Sequence, residues 1–114
     1  MLMNFDELNK FSKELKRLRK KYKSLPDDLK EFQAVISITP LGNSKHFNVI
    51  TQTENLHIIK ARLFCRYLKG SSLRVIYSYS EREQQIIFVE VYFKGDKENE
   101  DRSRIKEHLS NYCN

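Results

Sequence analysis

Five basic side chains, Lys60, Arg62, Arg66, Lys69 and Arg74, stand in the stretch IIKARLFCRYLKGSSLRVIY, and no acidic residue occurs between Glu54 and Glu81. Arginine grips phosphate oxygens through two parallel hydrogen bonds, and tyrosine stacks on a nucleobase or donates a proton. Like charges on neighbouring strands repel one another. Such a cluster in strand-forming sequence therefore reads as a site prepared for phosphates rather than as a source of stability.

The charge is unevenly placed along the 114 residues, whose formal net charge is +6. Residues 10 to 23 hold eight basic residues against Glu14 alone, a local +7, and residues 55 to 80 add +5. The remainder is therefore acidic, and two basic blocks on an acidic background suggest a polyanionic or acidic partner, nucleic acid or protein. The length fits one compact domain over residues 1–114, and 7 Phe with 6 Tyr lift the chain above the disordered range. No apolar run reaches the roughly 18 residues that cross a bilayer, so no membrane is expected. The N-terminus MLMNFDELNK has neither a basic n-region nor an apolar core, so no signal peptide is expected. The two cysteines, Cys65 and Cys113, are too far apart for a disulfide framework or a zinc site. A reducing cytoplasm, an inert buried Cys65 thiol and no metal are the expectations.

The elements that must position the basic residues follow from periodicity. Leu8, Phe11, Leu15, Leu18 and Tyr22 recur at helical spacing, predicting an amphipathic helix over residues 5 to 23 with its basic residues, Lys13 and Lys20 among them, on the opposite arc. SLPDDLKEF restarts a helix, with Ser24 as N-cap, Pro26 in the first turn and Asp27 three residues after the cap. Leu29, Phe32 and Ile36 give it an apolar side, and TPLGNS is loop. Strands are expected over 45 to 51, 56 to 66, LRVIYSY and 84 to 93, with a turn at Gly70, Ser71 and Ser72 and another at SERE. A last helix spans Asp101 to Tyr112. The fold class is α+β: an N-terminal two-helix hairpin packed on a twisted antiparallel β-sheet, with a C-terminal helix.

A turn centred on Gly70 sets Arg66 opposite Arg74, and a second near Arg82 and Glu83 sets Arg74 opposite Val91, beside Tyr92. Arg66, Arg74, Tyr92 and Lys94 then gather at one end of the sheet, near Arg104 at the base of the last helix. Lys60, Arg62 and Phe64 alternate onto one face. No nearby acid in the sequence neutralises them, although Glu90 is able to approach in three dimensions. Phe64, Val75, Ile76, Tyr77, Val89 and Val91 read as core or sheet packing.

FSKELKRLRKKYKSLPDDLKEF, IIKARL, LRVIY and IIFVEVYFKGDKENEDRSRI together resemble the RelE/ParE superfamily of toxins from bacterial toxin–antitoxin pairs. The resemblance spans nearly the whole chain in the family's order. It implies a twisted antiparallel sheet, a cognate antitoxin as partner and, in the RelE branch, cleavage of messenger RNA on the ribosome without a metal or small-molecule cofactor. Arg74 matches the arginine of the family's LRVIY-like strand. Lys60 and Arg62 match the alternating basic strand before it, and Lys94 the basic residues after the last core strand. In the tail, where some members place a catalytic Tyr or His, this chain has Arg104 and His108. The family's N-terminal strand is reduced to MNF or absent, and the loop between Arg62 and Arg74 is longer.

For such an enzyme the ribose 2′-hydroxyl attacks the adjacent phosphate, leaving a cyclic phosphate and a free 5′-hydroxyl. That needs a base, a proton donor and cations for the crowded negative charge. The resemblance makes Lys60 the candidate base, on the expectation that nearby Arg charge depresses its pKa. Arg62 and Arg74 are the charge stabilisers, with Lys94 beside them, and Tyr92 or His108 the acid. Arg66, Lys69, Arg104, His108, Lys13 and Lys20 are candidate contacts to messenger or ribosomal RNA. A DNA gyrase inhibitor, as in the ParE branch, and a non-catalytic RNA- or protein-binding module are the alternatives.

Overall fold

Alternation along the central strands divides the molecule into two apolar layers. The structure, a computed structural model, describes residues 2–42, 44–69 and 72–112. In β3 (His57–Phe64), Ile59, Ala61 and Leu63 are buried on one face, whereas Lys60, Arg62 and Phe64 alternate onto the other. The first face carries the main core, beneath α1 (Asn9–Lys21) and α2 (Leu25–Ile38). The second carries a smaller core of Ile58, Ile76, Val89 and Ile105, the last contributed by α3 (Arg102–Tyr112). The last helix therefore lies across the sheet from the hairpin. Among the described residues, no helix is long and apolar enough to cross a membrane.

The helical hairpin forms as the periodicity predicts: Phe11, Leu18, Tyr22, Leu25, Leu29, Phe32 and Ile36 are all buried. Leu8 departs from the expected stripe and packs with the second core. The first helix also starts four residues later than the pattern suggests, because Asn4–Glu7 is a strand, β1. With β2 (Phe47–Gln52), β4 (Ser72–Ser80) and β5 (Gln85–Phe93), the sheet order is β1-β5-β4-β3-β2. Four strands are antiparallel neighbours, but β1 lies parallel to β5, with Phe5 beside Ile86, so the sheet is mixed. Phe5 stacks on Phe88 at 6.0 Å, which stacks on Phe11 at 5.1 Å, tying the edge strand to the first helix.

The turns set the register, and two expectations are corrected there. Gly70 and Ser71 lie outside the described residues, but β3 ends well before them. Cys65 is buried and Arg66–Leu68 forms a 3-10 turn held by α2. The Ser24 hydroxyl donates to Asp28 Oδ2 (2.7 Å) and accepts from Tyr67 N–H (3.2 Å), while Arg66 N–H donates to the same Asp28 oxygen (3.2 Å). Ser24 occupies the N-cap as expected, yet its hydroxyl serves this turn rather than the first turn of its own helix. Arg62, not Arg66, therefore pairs with Arg74. A bulge between Ile76 and Tyr77 shifts the other ladder, and Arg74 pairs with Tyr92 rather than Val91.

The loop from α2 to β2 turns at Gly42, whose φ of +79° lies in the left-handed region. A Cβ there would stand 2.1 Å from Phe47 Cγ, and Phe47 stacks on Phe32 at 6.0 Å. Gly42→Ala should therefore destabilise the protein by about 2–4 kcal/mol, from backbone strain plus displacement of Phe47. Chemical denaturation reads this directly; a loss below about 1 kcal/mol would show that the loop re-forms freely.

Candidate functional site

Two rows of side chains run across the sheet on the face turned away from the hairpin. The first is Arg62, Arg74 and Tyr92, direct neighbours on β3, β4 and β5. His46, just before β2, extends it, because Arg62 N–H donates to His46 O at 3.1 Å. The second row is Asn48, Lys60, Ile76 and Glu90. Strands lie about 4.8 Å apart, so the basic groups of both rows converge. An open cleft of about 200 Å³ results, lined by Lys45, His46, Asn48, Lys60, Arg62 and Arg74.

The electrostatics are those of a partly compensated cation cluster. Burial and the neighbouring Arg62 charge lower the pKa of Arg74, opposed by Tyr92. It remains a cation, since arginine does not deprotonate in proteins. Lys60 Nζ donates to Glu100 Oε1 at 3.0 Å, and the buried Glu100 also binds Arg102 at 3.1 Å through its other oxygen. Burial pulls the Lys60 pKa down, but the hydrogen bond to Glu100 and the pull of Tyr92 outweigh it, and the net shift is upward. The expectation of a Lys60 base with depressed pKa is thus reversed: it is held as an ammonium. The nearby acid missing from the local sequence arrives 40 residues downstream.

Tyr92 is buried, with Lys97 Nζ 5.4 Å from its ring centroid. Burial raises its pKa, against the opposing effect of Lys60. It remains a neutral phenol whose covered ring offers no stacking surface here. Lys94 is exposed in the turn after β5, two residues beyond Tyr92. Glu90 anchors the following loop, accepting from Asp101 N–H at 2.8 Å and pairing with Lys97. Phe64, expected in core or sheet packing, is 62% exposed on the face of Arg62.

Several candidates stand elsewhere. Arg66 leaves the cluster to pair with Asp28 and Glu31 of α2. Lys69 is exposed at the end of the 3-10 turn, with φ +44°. Arg104 is turned inward, its guanidinium donating to both Glu14 carboxylate oxygens (2.8 and 2.9 Å) and to Val89 O (2.9 Å). His108 is 7% exposed, 3.0 Å from Ser78 Oγ, and burial lowers its pKa. Neither lines the cleft; both line a smaller pocket beside Leu8, Asn9 and Lys10. Lys13 and Lys20 are exposed on α1, on the far side of the sheet from the cleft. Sequence reasoning missed Lys45, His46 and Asn48; the available signal was the hairpin joining β2 to β3, whose register brings Asn48 beside Lys60.

No protein-family model matches the chain, and no curated protein matches it. Among solved structures, the fold is similar to that in the archaeal RelE–RelB complex from Pyrococcus horikoshii OT3, with TM-score 0.63 and 23% identity over 83% of this chain and 98% of that one. It is also similar to a free-state arginine-to-alanine mutant of the E. coli toxin RelE, with TM-score 0.56 and 17% identity over 86% of this chain and 90% of that one. The chain thus has a RelE-like α+β fold.

Proposed function

We infer that the protein is the toxin of a toxin–antitoxin pair, a metal-independent endoribonuclease that cleaves messenger RNA on the ribosome in the cytoplasm. The observation that carries this reading is the pairing of Arg62 with Arg74 beside Lys60 in one open cleft, on a fold similar to RelE. Adjacent arginines on one face repel, and a phosphate between them turns that repulsion into attraction. In the reaction, negative charge grows on the phosphate as the 2′-oxygen attacks, and two guanidiniums already in place stabilise it without reorganisation. Lys60 adds a third positive charge, and the exposed Lys94 lies further along the path of an RNA strand.

An acidic antitoxin covering this face would meet the same cations, as suits a toxin kept silent until its partner is lost. Such a partner accords with the RelE–RelB complex among the similar structures. The test is induced expression in a bacterium, wild type beside the double variant Arg62→Ala/Arg74→Ala, with mapping of 5′ ends on translated messages. Growth arrest with cuts inside codons, both lost in the double variant, is the expected result. Arrest without cuts would move the reading to gyrase inhibition. Soluble protein without arrest would favour a binding module.

A further inference from the structure

The cleft holds cations in abundance, but the expected base, Lys60, is an ammonium bound to Glu100. A base must therefore come from another residue. Of the groups lining the cleft, the arginines do not give up protons, and Asn48 and Ala61 do not titrate. Lys45 is exposed in the loop before β2. His108 lies under α3 beside Ser78, four residues along β4 from Arg74 and so about 13 Å away. Tyr92 is buried. His46 lines the cleft with an exposed imidazole, whose ring nitrogen accepts a proton in the neutral form.

Its position is fixed rather than incidental. The Arg62 N–H to His46 O hydrogen bond sets it one strand spacing from Arg62, hence about 10 Å from the Arg74 backbone. A phosphate held between the two guanidiniums lies within reach of an imidazole at that end of the row. We propose that His46 takes the proton from the attacking 2′-hydroxyl and that the Lys60 ammonium supplies one to the departing 5′-oxygen; the inference rests on the endoribonuclease reading above. The 2′-oxygen bonds to phosphorus as the bond from phosphorus to the 5′-oxygen breaks. One proton moves to the His46 ring and one leaves Lys60 Nζ, giving a 2′,3′-cyclic phosphate and a 5′-hydroxyl. His46 then returns its proton to water and Lys60 regains one, so no co-reactant is consumed. Lys45, Lys60, Arg62 and Arg74 face His46 from the cleft. Asp28 and Glu31 of α2 face it from the neighbouring groove, where both are engaged by Arg66.

Single-turnover cleavage of a defined message on programmed ribosomes, followed from pH 5 to 9, tests this. The wild-type rate should fall on the acid side, as protonation removes the base. His46→Gln should be slower by 10²–10⁴-fold, without that acid limb, and should unfold at the wild-type temperature because the side chain is exposed. A His46→Gln enzyme within threefold of wild type and with the limb intact, while Arg74→Ala is inactive, would overturn the His46 role and leave the endoribonuclease reading standing. No cleavage by the wild type would overturn both.

Discussion

Arg104→Ala should lower the free energy of unfolding by about 3 kcal/mol, at the low end of what breaking a buried ion pair costs. For a domain of this size that is a fall of roughly 10–15 °C in Tm. Arg104 is 11% exposed and Glu14 16%, and the guanidinium ties α3 to α1 and to the β5 backbone at Val89. The hydrogen bond to Glu14 and the charges of Glu14, Glu90 and Asp101 raise the Arg104 pKa despite its partial burial. Removing the arginine leaves Glu14, among the described residues, with the Val91 N–H at 3.3 Å. That residual partner is why the low end is expected. A double-mutant cycle separates pair from packing: Glu14→Ala/Arg104→Ala should cost clearly less than the two single variants added together. Strict additivity would mean that the two side chains act independently. Rate should follow only the folded fraction; a fully folded Arg104→Ala protein without activity would return Arg104 to the RNA-contacting set.

Local pattern made much of this molecule legible, and non-local pairing hid the rest. The stripe from Phe11 to Tyr22 and the alternation of β3 are short-range signals, and both appear in the structure. The strand LRVIY was legible too, and with it the placement of Arg74 next to another arginine. Which arginine was not, because the chain leaves β3 after Phe64 for a 3-10 turn whose anchor, Asp28, lies 38 residues upstream of Arg66. A bulge then moved Tyr92 into register. β1 offers four residues with no clean alternation, and its partner strand begins 81 residues away at Gln85. The carboxylates are the most consequential omission. Glu14 and Glu100 lie in polar stretches that read as solvated surface, yet they pair with Arg104 and with Lys60, whose pKa the Glu100 hydrogen bond helps to raise. Charge counting along a sequence finds excess but not partners, and the role of each basic residue turned on its partner.

Arg74→Ala should reduce single-turnover cleavage by 10²–10³-fold, the loss expected for one preorganised charge-stabilising group, while changing stability by less than about 1 kcal/mol. Burial and the charge of Arg62 both work against the Arg74 guanidinium, and Tyr92 works for it. Its place beside Arg62 on the neighbouring strand, at the open cleft, is what makes it the candidate for this role. Arg74→Lys should recover little, because an ammonium cannot reproduce the two parallel hydrogen bonds of the guanidinium. Arg66→Ala provides the contrast. Its side chain is 57% exposed and paired with Asp28 and Glu31 on the α2 side, so both rate and stability should stay close to wild type. The comparison discriminates between mechanisms of RNA recognition. If Arg66→Ala and Arg74→Ala lower the rate equally, the protein attracts RNA through its overall positive charge, and the row across the sheet has no special standing. A large loss at Arg74 alone means that the register of β3, β4 and β5, rather than net charge, creates the site.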